Sequence, residues 1–178
     1  KTLIVSITFS FLLLGCSDTG PVSELPKMNS YDDEQNIVLK KFGWLGFPPS
    51  IVRTEKISEG LAVIFGYGGN VLVSVGDDGV LIVDSQFPEV YEAIMAEIRE
   101  LGGDSVDYII NTHFHFDHAE GNRAFGMQGA KIIAHQNSVE FFERGADIDM
   151  VAISWPQQVY EKEARPTMTY SDQMTLNF

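Results

Sequence analysis

Apolar residues fall in short blocks along this chain, and the spacing inside each block predicts its element. The first block, residues 3–14, is broken only by Ser6, Thr8 and Ser10. It is shorter than the roughly 20 residues a membrane-spanning helix needs. With Lys1 as a positive start, it fits the apolar region of a secretory signal peptide. From residue 17 to about 50 the chain is polar and punctuated by Pro21, Pro26, Asn29 and Ser30 before Asp32-Asp33-Glu34, the pattern of a tether. Within it Phe42, Trp44, Leu45 and Phe47 precede Pro48-Pro49. These side chains are expected to pack on the domain or to help hold a ligand, packing being the commoner use.

Strand signals begin after residue 50. The apolar run Leu61–Phe65 ends in the turn-prone Gly66-Tyr67-Gly68-Gly69-Asn70. Residues 71–75 and 80–83 are rich in β-branched side chains and are joined by Gly76-Asp77-Asp78-Gly79, a strong hairpin signal. They are apolar at nearly every position, so both faces are expected to be covered. Pro88 suits the first turn of a helix. Val90, Ile94, Ile98 and Leu101 share one face of it, and Gly102-Gly103 ends it. Residues 106–111 and 131–134 read as strands, 136–144 as a helix, and 167–170 with 174–178 as a strand pair about Ser171-Asp172-Gln173. Strands followed by alternating helix and strand predict a layered α/β sandwich over residues 51–178, after a signal segment (1–15) and a tether (16–50).

Composition adds limits more than identity. With 25 acidic against 12 basic residues and a formal net charge of −13, the chain repels phosphate backbones, so nucleic acid is not an expected partner. Cys16 is the sole cysteine, which excludes an internal disulfide.

The chemistry is concentrated in Thr112-His113-Phe114-His115-Phe116-Asp117-His118. On a helix, positions i and i+2 point to different sides and could not share an ion. On an extended segment the side-chain period is two, so His113, His115 and Asp117 would project together, with Phe114 and Phe116 pointing into the core. His118 breaks the alternation and must approach from another direction, at the start of a turn or helix over 119–125. Imidazoles with a carboxylate suit zinc, and also iron or manganese.

This run, with Gly121 and Asn122 after it, resembles the HxHxDH motif of the metallo-β-lactamase superfamily, in a form similar to the glyoxalase II branch. The resemblance extends back to Gly60. It implies a four-layer αβ/βα sandwich and two metal ions, with His113 and His115 as ligands of the first, and Asp117 and His118 as ligands of the second. It also implies that Asp117 orients or accepts a proton, and that Asp84 braces the metal loop by hydrogen bonds. His135 does not match a ligand position of the family and is expected to be structural or near the site. The family adds a further histidine, an aspartate and a last histidine downstream, whereas no histidine follows His135 here. The chain therefore resembles the N-terminal half of the fold, and its reading frame is expected to continue past Phe178. The implied activity is hydrolysis of a small-molecule amide, ester, thioester or lactone, β-lactams included, in the complete dizinc enzyme. Two alternatives stay open: an iron-dependent oxidoreductase of the same fold, similar to sulfur dioxygenases, and a non-catalytic metal-binding lipoprotein.

Leu13-Leu14-Gly15-Cys16 resembles a bacterial lipobox. The resemblance implies cleavage before Cys16, lipidation of its thiol and, with Ser17 next, a periplasmic protein anchored in the outer membrane of the cell envelope. Expression in a bacterium fed labelled fatty acid should label the wild type and not Cys16→Ser. Equal label in both would rule the anchor out.

Overall fold

In the computed structural model, the described residues are 31–47, 51–150 and 153–176. The expected signal segment, Cys16 and the last two residues lie outside them. Among the described residues no helix is long and apolar enough to cross a membrane.

The hairpin signals build an antiparallel meander of β1 (Arg53–Ser58), β2 (Leu61–Phe65), β3 (Val71–Gly76) and β4 (Gly79–Val83). Gly76 pairs with Gly79, so Asp77-Asp78 forms the two-residue turn the sequence called for. The sheet continues in parallel through β5 (Tyr108–Ile110), β6 (Lys131–His135) and β9 (Met168–Tyr170). The seven strands lie in the order β1-β2-β3-β4-β5-β6-β9. Parallel neighbours require crossovers, which here carry α2 (Tyr91–Glu100) between β4 and β5, and α3 (Phe116–Ala119) with α4 (Asn122–Met127) between β5 and β6. The helix α5 (Val139–Arg144) follows β6, and β7 (Ala146–Met150) with β8 (Ile153–Gln157) forms a separate antiparallel pair. Because β4, β5 and β6 run the same way, their carboxyl ends meet at one edge of the sheet, where ligands bind in open α/β sheets.

The core sits between one sheet face and the helices. Ala62, Ile64, Val71, Val73, Val80 and Ile82 are buried, while Val63, Leu72 and Leu81 between them are half-buried. The expectation of two fully covered faces is thus corrected. Period-two geometry sends alternate residues to opposite faces, and Ile94, Met95 and Ile98 of α2 close one of them.

Three other expectations change. The stretch read as a tether to residue 50 contains α1 (Asp33–Phe42), which packs on the domain. Asp32 and Gln35 form a reciprocal capping box, acids fill the first turn, Lys40 and Lys41 the last, and Gly43 at φ 73° ends it. Its Val38 and Leu39 are buried, and Gln35 Nε2 donates to the Pro156 carbonyl at 3.1 Å. Trp44 and Phe47 pack against Phe87, with ring centroids 5.7 and 4.8 Å away, whereas Phe42 and Leu45 stay exposed. The strand β1, polar in sequence, gave no apolar signal; it is an edge strand whose Arg53, Glu55 and Lys56 suit that position. Finally, among the described residues, 167–170 form no hairpin with the segment after Ser171-Asp172-Gln173. The strand β9 pairs with β6 in parallel, and 173–176 form no strand. A short turn permits a hairpin, but pairing beside an apolar strand such as β6 buries more.

The N-terminal segment also docks through Tyr31, whose hydroxyl donates to Glu89 Oε2 at 3.0 Å. Burial pushes the Glu89 carboxyl up to about 7, with the Tyr31 hydrogen bond opposing. A carboxyl raised in the folded state contributes stability that is full below its unfolded value, ~4.3, and is lost as pH rises through the folded value. Urea unfolding should therefore show stability falling between about pH 4.5 and 7, and Glu89→Gln should flatten that part of the curve. A variant whose pH curve parallels the wild type would contradict this.

Candidate metal centre

The site begins where β4 ends. Asp84 (φ 63°) and Gln86 (φ 54°) adopt left-handed backbone although neither is glycine, and both are buried. Such conformations cost of order 1–3 kcal/mol each and persist where surrounding contacts over-determine them. Here they do. The Asp84 carboxylate accepts from Thr112 N and Thr112 Oγ1, both at 2.8 Å, and contacts His118 Nδ1 at 2.7 Å. Ser85 N donates to the His118 carbonyl at 2.8 Å, and Gly121 N to the Gln86 carbonyl at 2.7 Å.

The histidine loop departs from the expected extended run. It is extended at His115 (φ −64°, ψ 148°), and α3 starts at Phe116. Asp117 and His118 are therefore presented by a helical turn, and His113 and His115 by the segment before it. Both phenylalanines pack against other rings, as expected of loop anchors, although Phe114 also lies 5.1 Å from the His115 ring. Phe116 is buried and stacks on Trp155 at 4.1 Å, and Phe114 stacks on Phe141 at 3.8 Å.

Four donors come together. The His113 ring centroid lies 4.6 Å from that of His115 and 4.2 Å from that of His118, and His118 Nε2 is 3.6 Å from Asp117 Oδ2. Among the described residues, no group of three or more His, Cys, Asp or Glu is so placed that it could hold a metal ion as it stands. The rings lie side by side, and side-chain rotation would have to aim their nitrogens at a shared ion. The donor chemistry nonetheless fits one. Burial, with the charges of His118 and His115 behind it, holds the His113 ring below the ordinary histidine value and so neutral, as a ligand must be. Burial opposes charge on His118, but its bond to Asp84 and the nearby Asp117 and Asp84 charges carry its pKa upward. In the neutral ring that a metal ligand requires, a carboxylate partner at Nδ1 favours the proton on Nδ1 and leaves Nε2, on the Asp117 side, as the nitrogen with the lone pair.

The loop at residues 66–70 walls the cluster. Gln86 Oε1 accepts from Tyr67 N at 2.9 Å, and Gln86 Nε2 donates to the Gly69 carbonyl at 2.6 Å. Gly69 N donates to the Asp117 carbonyl at 3.2 Å. A Cβ on Gly68 would run into Asp117, and one on Gly69 into the His118 ring. Ser85, Gln86, Gly68 and Gly69 were not singled out from sequence, although the paired glycines were the available signal. His135 makes contacts of its own: its Nε2 contacts the Ser171 carbonyl at 3.0 Å, its Nδ1 accepts from Asn137 N at 3.2 Å, and its ring meets Tyr170.

Comparison with known proteins agrees with this fold. The family model described as the metallo-beta-lactamase superfamily matches residues 64–156. A metallo-beta-lactamase motif mutant from Cronobacter sakazakii has a TM-score of 0.57 at 23% identity, over 71% of this chain and 50% of its own. A class B3 di-zinc metallo-beta-lactamase from an Alaskan soil metagenome has a TM-score of 0.57 at 20% identity, over 71% of this chain and 48% of its own. At these identities the likeness is one of fold. The coenzyme F420H(2) oxidase of Methanothermobacter marburgensis is 33% identical over 54 residues, 28% of this chain and 13% of the oxidase. The chain thus spans about half the length of these solved structures and far less of the oxidase.

Gly69→Ala should force the His118 ring or the wall loop to move. We expect a loss of about 1–3 kcal/mol in stability and weaker metal uptake. Gly76→Ala, where an added methyl meets nothing within 4 Å, should leave both nearly unchanged. Wild-type behaviour of Gly69→Ala in calorimetry and chelator competition would refute the close-approach argument.

Proposed function

This chain belongs to the metallo-beta-lactamase superfamily, and from that premise we infer that the full-length protein is a metal-dependent hydrolase of small-molecule amides, esters, thioesters or lactones, β-lactams among them. The observation that carries the reading is the gathering of His113, His115, Asp117 and His118 at the carboxyl-end edge of the parallel strands. His113 and His115 would hold a first zinc ion, and Asp117 and His118 a second. When bound, such ions supply Lewis acidity and bring a water's pKa from 15.7 towards ~7.

The chain's own residues do the rest. Asp117, with a carboxylate oxygen 3.6 Å from His118 Nε2, is placed to orient or accept the proton released in the attack. Asp84 fixes the His118 tautomer and ring plane. The Gly68-Gly69 backbone fills the space beside Asp117 and His118, where a larger residue would crowd them. We extend the proposal to location. Lipidation at Cys16 would anchor the protein in the cell envelope, where its substrates would reach it.

A second reading is an iron-dependent oxidoreductase of the same fold. It is favoured by the 54-residue similarity to an oxidase and by a donor set that also suits iron. Metal analysis of full-length protein purified without added metal separates the two. Zinc, with turnover of an activated ester or thioester that drops about 100-fold or more in His115→Ala, supports the hydrolase. Iron, with oxygen consumption and no hydrolysis, supports the oxidoreductase. A protein that takes up neither metal would defeat both.

A further inference from the structure

The loop that carries the four donors, residues 112–121, has an asparagine just outside each end. Asn111 follows β5 and Asn122 opens α4, and both are buried, at 1% and 0% exposure. Their side-chain amides face each other in a reciprocal pair. Asn122 Nδ2 donates to Asn111 Oδ1 at 2.7 Å, and Asn111 Nδ2 donates to Asn122 Oδ1 at 3.2 Å. The pair is tied into the fold on three sides. Ser85 Oγ donates to Asn122 Oδ1 at 2.9 Å, Asn111 N donates to the Ile133 carbonyl at 2.9 Å, and Asn122 Nδ2 reaches the Ala164 carbonyl at 3.5 Å.

We propose that the Asn111–Asn122 pair is a clasp that holds the loop in the conformation that brings its donors together, which makes both asparagines positioning residues. The proposal rests on the reading of that loop as a metal site. Its argument is geometric. An apolar pair of the same size could fill the space but could not fix the relative orientation of the loop ends, because dispersion is not directional. Two parallel hydrogen bonds between planar amides fix both distance and plane. Burial raises the cost of breaking them, since each freed amide would stay out of water. Asp84 braces the loop at Thr112 and His118, and the clasp joins the two residues that flank it.

The test uses the full-length protein with Asn111→Ala, Asn122→Ala, the double variant and the near-isosteric Asn122→Asp. Ile98→Val, in the buried face of α2, serves as a control for general destabilisation. Zinc affinity is read by competition with a chromophoric chelator. Loop order in the metal-free protein is read by amide hydrogen exchange over 112–121. We expect each single variant to weaken zinc binding 10- to 100-fold, and the double variant to be no worse than the weaker single. Exchange should quicken in the loop, with neither effect in Ile98→Val. Wild-type zinc affinity and loop protection in folded Asn122→Asp and Asn122→Ala would overturn the clasp, as would equal losses in Ile98→Val. If the wild type binds no zinc, the metal reading fails. The clasp then stands or falls on loop exchange alone.

Discussion

A single buried carboxylate holds the two halves of the candidate site in register. Asp84 leaves β4 with left-handed backbone and spends its two oxygens on Thr112 N, Thr112 Oγ1 and His118 Nδ1. The first two contacts fix where the loop leaves β5, and the third fixes the ring at its far end. A buried charge is tolerated when such bonds replace water, and the bonds in turn keep the unfavourable φ occupied. Ser85 and Gln86 extend the same hub, one to the His118 carbonyl and Asn122, the other to Gly121 and the 66–70 loop. Three successive residues thus connect a strand end, a histidine loop and a glycine wall.

Beneath this polar layer the site rests on aromatic rings. Phe116 stacks on Trp155 and lies 6.0 Å from Phe87, which touches Phe47 and Trp44. The N-terminal segment, the turn after β4, α3 and the β7–β8 pair therefore share one core under Asp117. A second buried assembly secures α4. Arg123 pairs with Glu120 at 2.8 Å and with Glu161, and its guanidinium lies over the Tyr160 ring. Tyr160 in turn donates to Glu120 at 3.1 Å. Removing one member would strand a buried charge, so the assembly fixes α4 behind Asn122 more through the penalty for breaking it than through net attraction.

Much of this was legible in the chain itself because local rules and burial agreed there. Apolar, β-branched runs about Gly76-Asp77-Asp78-Gly79 fixed the β3–β4 hairpin, the Val90, Ile94 and Ile98 spacing fixed α2, and the spacing of His113, His115, Asp117 and His118 marked the donors with their phenylalanine anchors. Local rules misled where a distant partner decided. The segment 33–42 looks polar because a surface helix needs few apolar residues, and its docking depends on β8. The strand β1 exists because β2 offers an edge, and β9 lies beside β6 although a hairpin turn stood ready.

The sequence by itself determined the element types from β2 to β6 and the residue types able to hold a metal, since these follow from side-chain period and donor chemistry over a few neighbouring positions. Only the tertiary structure decided that Asp84 reaches Thr112 and His118, that Gly68 and Gly69 press against Asp117 and His118, and that Asn111 meets Asn122. Each of those contacts joins segments whose approach is set by how strands, helices and loops pack. No short-range pattern encodes a distance that depends on the whole core.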